Sequence, residues 1–208
     1  APWMASGSPS PLVLAQTLIV LLTAGLVWQF ALVLALVYRE QRSLKWTVLR
    51  DVLWLRAPQS PRSGRRGGRA WLIIPILIVA FALEEFLPFE IPAAPGRAFG
   101  EFLGSPAGQA TLSGSWLWLG VLLVFFVFNT VLGEELLFRG YLLPRMQGVF
   151  GSRDWMANGI LFATYHLHVP WMIPLTLLDT FILSWPARRY RSALVGIIVH
   201  SAQSVFLF

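Results

Sequence analysis

The residues able to do chemistry sit inside apolar runs. Glu134, Glu135 and Arg139, in VLGEELLFRG, follow the run WLWLGVLLVFFVFNTV directly. Phe162, His166 and His168 lie in FATYHLHVP, Asp179 in LLDTF, and His200 with Ser204 in VHSAQS. Ionisable groups in hydrocarbon are costly and are functional candidates by default. Glu135 and Arg139 are four apart and share a helix face, so they can pair. Glu134 is rotated from Glu135 by about a hundred degrees and is free to face a cavity. The bland alternative places all three charges in the hydrated interfacial zone. Phe162 and His166 share a face. His168 points nearly opposite, toward Pro170 and the membrane boundary. The bland reading of His166 is a core histidine bonded to a backbone carbonyl. His200 and Ser204 are again one turn apart, and Asp179 pairs with a histidine or with Arg139, or lines water.

One carboxylate and two imidazoles from three segments support two chemistries. As a His-His-carboxylate set, Glu134, His166 and His200 would bind zinc and activate water. Without metal, the carboxylate and one histidine act as general base while other donors stabilise an oxyanion. Both lead to amide hydrolysis within the membrane, and the residues alone leave the choice open.

The elements that must position these groups are membrane spans. The 208-residue chain is 56% hydrophobic and 12% charged, against about 25% charged in soluble domains. A span needs roughly 20 mostly apolar residues, and six candidates follow: 12–38, 70–89 with Pro75 inside it, 115–143, 155–171, 172–185 bounded by Pro174 and Pro186, and 192–208. The fourth and fifth are short, and a re-entrant pair is the alternative. Residues 44–56 interleave Leu and Val with basic residues, as an interfacial amphipathic helix would. A Pro- and Gly-rich loop carrying Glu84, Glu85, Glu90 and Glu101 runs to about 114. The expected fold is thus an all-α polytopic membrane protein. Residues 1–114 hold the N-terminal spans and a basic loop at 39–69, residues 115–208 hold the motif-bearing core, and the whole is a single membrane domain.

Charge sets the orientation. Nine of the sixteen Lys and Arg lie in 39–69, which reads as a membrane-flanking loop and not as a nucleic-acid surface. Loops 144–154 and 186–191 are basic too, which places the basic loops in the cytoplasm and both termini outside. No basic residue precedes the first long apolar run, so a cleaved signal is not expected. With no cysteine there is no disulfide or thiolate chemistry.

EELLFR matches EExxxR, FATYH matches FxxxH, and HSAQS matches HxxxN except that Ser204 replaces the asparagine. In this order the motifs resemble the CPBP (Abi) family of intramembrane proteases, which includes type II CAAX prenyl endopeptidases and bacteriocin-processing and immunity proteins. The resemblance implies a helix bundle around a conical polar cavity. It implies that Glu134 and His166 activate water, that His200 with residue 204 forms the oxyanion site, and that Glu135, Arg139 and Phe162 support it. It implies a metal-free glutamate-dependent reaction on a membrane peptide or protein substrate, with the lipid bilayer as surroundings and no nucleic-acid partner. Zinc held by Glu134, His166 and His200 is the alternative. A non-catalytic peptide-binding or immunity protein is a further alternative, motivated by Ser204. HExxH is absent, Asp179 lacks a GxGD context and a second aspartate, and the serines of LSGSW have no histidine partner. The internal symmetry of many transporters is also missing.

Overall fold

The computed structural model describes residues 11–84, 91–92 and 104–206, with backbone alone at 11–12, 14–15, 107, 111–112 and 203–206. The expectations on Glu85, Glu90 and Glu101, and on the Ser204 side chain, lie outside the described residues. Among the described residues the protein is helical, with no β-strand beyond two isolated bridges.

Helix α1 (Pro11–Gln41) buries Ile19, Leu26, Val33 and Val37, seven and four residues apart, along one stripe. Val20, Leu21, Trp28 and Leu32 on its other faces are exposed apolar groups, as a lipid-facing surface requires. A short helix, α2 (Trp46–Val52), lies within the expected amphipathic segment but buries none of its own residues. Helix α3 (Ile73–Glu84) follows a 3₁₀ turn at Gly68–Leu72. Pro75, expected inside a span, is therefore in the first turn of α3, where its missing N–H deprives no carbonyl of a helical bond.

The expected loop up to 114 contains a helix, α4 (Pro106–Leu112). Ser105 caps it by accepting from the Gly108 N–H at 3.1 Å, and Pro106 occupies its first position. Helix α5 (Trp116–Arg145) starts at the Ser115 cap and widens to π turns at Val127–Gly133 and Leu136–Leu142. Helix α6 (Asp154–Tyr165) ends before the expected boundary at 171, and two 3₁₀ turns follow, His166–His168 and Pro170–Met172.

Helix α7 (173–190) does not stop at Pro186. It continues to Arg191, whose left-handed φ of 46° ends it. The proline ring would press on the carbonyl four residues back, Ile182, but that residue lies in a π segment (Thr180–Ser184) whose wider turn makes room. Helix α8 (Ala193–Phe206) follows the turn at Arg191. Among the described residues two helices, Gln16–Gln41 and Trp116–Arg145, are long and apolar enough to cross a membrane, and Ala193–Ala202 is a shorter apolar stretch. The other expected spans are built from shorter helical pieces.

Helix α8 sits in the middle. It packs on α3, on the π turns of α5 and on α7, while α1 lies along the other side of α5 and α6 along α7. One buried cluster joins Leu77 and Phe81 of α3, Phe138, Phe162 and Leu183 to Val195 and Val199 of α8. At one end of the bundle the basic loops touch. Glu40 accepts from Tyr141 at 2.5 Å and pairs with Arg145. Arg188 Nε pairs with buried Asp154 at 2.8 Å. The 39–69 loop is tied to the turn after α7 by Gln59 N–H to Tyr190 O (2.7 Å), Ser192 Oγ to Arg56 O (2.5 Å) and Ala193 N–H to Trp54 O (2.9 Å).

Candidate functional site

The π turns of α5 are where the charged motif lies, and π-widened turns recur at functional sites because they release backbone groups and re-aim side chains. One released carbonyl is visible: Phe138 O accepts from Asn158 Nδ2 at 2.9 Å, and Asn158 Oδ1 accepts from Ser184 Oγ at 3.0 Å. Asn158 is fully buried and so ties α5, α6 and α7 together at the level of the motif.

Glu135 and Arg139 are both 0% exposed. Arg139 Nη1 lies 2.9 Å from Glu135 Oε1, and His200 Nδ1 lies 3.1 Å from the same oxygen. The Arg139 guanidinium also stacks 4.0 Å from the Phe162 ring centroid, an offset to its desolvation. A charge pair this deep needs such additional contacts, because its Coulomb gain alone can fall short of its desolvation cost. Phe162 is the hub: its ring meets His166 edge-on at 4.9 Å, Phe138 at 5.1 Å and His200 at 6.3 Å.

Helix α8 can come this close because residue 196 is glycine. A Cβ at Gly196 would collide with Glu135 Oε2. Gly159 does the same for α6 against Thr180 of α7. Small residues at helix crossings allow this approach in membrane bundles.

Glu134 is buried at 5% exposure and makes no hydrogen bond or ion pair among the described residues. It lies within electrostatic reach of His200, Glu135 and Arg139. Tyr165 is also within its reach and lies near the side chain of Gln29, a buried residue of α1. The carboxylate expected to face an open cavity is thus largely enclosed.

His166, half-buried at the C-terminal end of α6, places Nδ1 2.9 Å from the Phe162 carbonyl. Only an N–H can bond that oxygen, so the proton is on Nδ1 and Nε2 is left as an acceptor. His168 does not point away from His166. The α-helix ends at Tyr165, and in the 3₁₀ turn the two rings stack with centroids 5.8 Å apart. Asp179 pairs neither with a histidine nor with Arg139. It lies within electrostatic reach of Glu84 of α3. On α8, Ser201 Oγ donates to Thr130 Oγ1 of α5 at 3.1 Å.

Glu135, Arg139, Phe162 and His200 therefore converge directly, with Glu134 and His166 beside them. Gln29, Tyr165, Asn158 and Gly196 join the site without having been singled out from sequence. The spacing of Gly196 four residues before His200 was the available signal. Among the described residues, no group of three or more His, Asp or Glu side chains is placed to hold a metal ion. Residues 115–206, less than half the chain, match a family model described as Type II CAAX prenyl endopeptidase Rce1-like. No curated protein and no solved structure matches the chain.

Proposed function

Because residues 115–206 match the family model described as Type II CAAX prenyl endopeptidase Rce1-like, we propose that the chain is a membrane-embedded endopeptidase. Its reaction is hydrolysis of a peptide bond near the end of a membrane-associated or lipidated peptide. The observation that carries this reading is Glu134: a buried carboxylate without a hydrogen-bond or ion-pair partner among the described residues, next to a braced triad of Glu135, Arg139 and His200. An unpaired carboxylate there is costly. A water and a substrate amide would supply its missing partners.

In this mechanism ionised Glu134 takes a proton from water as the water oxygen bonds to the scissile carbonyl carbon. His166 Nε2, left free by the Nδ1 bond to Phe162 O, accepts the water's other hydrogen and aims it. The carbonyl electron pair moves onto oxygen, where His200 and the residue at 204 donate hydrogen bonds. Donation from Nε2 while Nδ1–H bonds Glu135 requires a proton on both ring nitrogens of His200. Collapse breaks the C–N bond, and the proton held by Glu134 leaves on the amine. Glu135, Arg139 and Phe162 are positioning residues. The contacts among the three basic loops support a shared side, which the charge rule makes cytoplasmic.

The test is a comparison of membrane-protein termini in cells expressing the wild type or Glu134→Gln. New termini should depend on Glu134, and the purified variant should melt like the wild type. Full cleavage by Glu134→Gln refutes the mechanism. Stoichiometric zinc in the purified active protein would replace Glu134-only activation with the metal version. Ser204, in place of the family's asparagine, favours a second reading in which the fold binds a peptide without cutting it. That reading predicts a biological phenotype that survives Glu134→Gln.

A further inference from the structure

A second site lies away from the glutamates, between the 39–69 loop and the end of α7. A cleft of about 920 Å³ there is lined by Arg62, Arg65, Arg66, Arg69 and Arg189, and by no acidic residue. Nearby acids are already engaged. Asp51 binds Arg50 and Arg56, and the hydrogen bond from Arg56 holds its carboxyl below the usual range. Glu40 binds Arg145, and Asp154 binds Arg188. Among the described residues Arg62, Arg65, Arg66, Arg69 and Arg189 form no ion pair.

The charge is held on a built loop. Ser60 N–H bonds Arg65 O at 2.8 Å, Gly64 N–H bonds Ser60 O at 2.9 Å and Gln59 pairs with Arg66 in an isolated bridge. Gly64, Gly67 and Gly68 take the left-handed φ that this path demands. Arg66 Nη1 reaches the carbonyls of Ala57 (3.0 Å) and Arg191 (3.4 Å), which fixes the loop against the α7 turn. Burial, and then the charges of Arg56 and Arg191, pull the Arg66 guanidinium below its ordinary pKa. Cations crowded this way lack a counter-ion.

The height of the cleft identifies that counter-ion. Leu72, at the end of the 3₁₀ turn, and Ile76, Val79 and Leu83 of α3 are each exposed, four, three and four residues apart, so they form one apolar stripe that begins three residues after Arg69. Trp185, 40% exposed, also lines the cleft, and tryptophan is enriched where membrane meets water. An anion bound here has its charge where the hydrocarbon starts. Arginine forks match phosphate oxygens in bidentate fashion.

We propose that this arginine cleft is a binding site for the phosphate of an acidic phospholipid headgroup, with the acyl chains lying along the Leu72–Leu83 stripe. The site is independent of the peptidase reading, so Glu134→Gln should bind lipid like the wild type.

Native mass spectrometry of the full chain in detergent, titrated with phosphatidylglycerol or phosphatidylcholine, tests it. The wild type should favour phosphatidylglycerol at least about tenfold. The combined variant Arg62→Gln, Arg65→Gln, Arg69→Gln and Arg189→Gln should lose that preference. Arg66 is left intact because it holds the loop, and an unchanged melting midpoint will show that the variant is folded. A control of equal charge loss outside the cleft, Arg39→Gln, Arg42→Gln, Lys45→Gln and Arg153→Gln, should keep the preference. Wild-type affinity in the cleft variant, or an equal loss in the control, overturns the proposal. Displacement of the lipid by inorganic phosphate at equal concentration overturns the lipid assignment in favour of free phosphate.

Discussion

Gly196→Ala puts one methyl group where the Glu135 carboxylate now lies. The added Cβ would overlap Glu135 Oε2 and would stand 3.3 Å from Glu135 Cδ and 3.4 Å from Arg139 Cγ. Glu135 cannot swing aside cheaply, because its other oxygen is held at 2.9 Å by Arg139 and at 3.1 Å by His200. Either α8 retreats from α5 or the triad breaks. Overpacking alone costs about 1–3 kcal/mol, and breaking a buried ion pair about 3–5 kcal/mol. The smaller cost applies if α8 yields. At about 2 kcal/mol, and about 2–4 °C per kcal/mol for a chain of this length, the melting midpoint should fall by about 4–8 °C. Tryptophan fluorescence of the purified protein in detergent, with ten tryptophans as probe, reads this directly. Gly25→Ala and Gly120→Ala are the controls. Nothing lies within 4 Å of a Cβ at either, so both should melt at or above the wild type. In a double-mutant cycle Gly196→Ala should cost less on a Glu135→Ala background, with a coupling of about 0.5–3 kcal/mol. A Gly196→Ala protein that melts within a degree of the wild type, with no coupling to Glu135, would refute the close contact.

The two adjacent glutamates should behave differently. Glu135→Gln strands the buried Arg139 charge and should cost about 3–5 kcal/mol, whereas Glu134→Gln removes no ion pair and should leave the melting midpoint unchanged; the same fluorescence melts compare them. Asn158→Ala leaves the Phe138 carbonyl and the Ser184 hydroxyl unpaired in a fully buried place. At about 1–3 kcal/mol for each buried group left unsatisfied, it should unfold more readily than Ser184→Ala, which strands only the asparagine oxygen.

What could be read from the residues was what depends on fixed spacing. The four-residue step from Glu135 to Arg139 survives in a helix of either pitch, so the pairing partner was legible, and so was the separation of Glu134 from it. The Ser105–Pro106 start of α4 carried a cap signal inside a segment otherwise read as loop. The π turns were not legible, because they arise where α5 meets α1 and α8 and not from the propensities of VFNTVLG or LLFRGYL. Gly196 looked like an unremarkable glycine in an apolar run, since its value lies in a neighbour sixty residues away. Asn158 and Gln29 each look like a stray amide until the carbonyl or hydroxyl opposite is placed. The stacking of His166 on His168 depended on where the α-helix ends, which a helical wheel assumes and does not determine.

The clamp between the 39–69 loop and the turn after α7 dictates an order of events during synthesis. Arg56 and Ser192, which it bonds, are 136 residues apart in the chain. At roughly 5–20 residues per second, the loop waits roughly 7–27 s at the ribosome before its partner exists. Ala193, whose N–H bonds Trp54 O, is also the first residue of α8, the helix that carries Gly196 and His200 to Glu135. Seating of α8 therefore completes the loop clamp and the buried triad in one step.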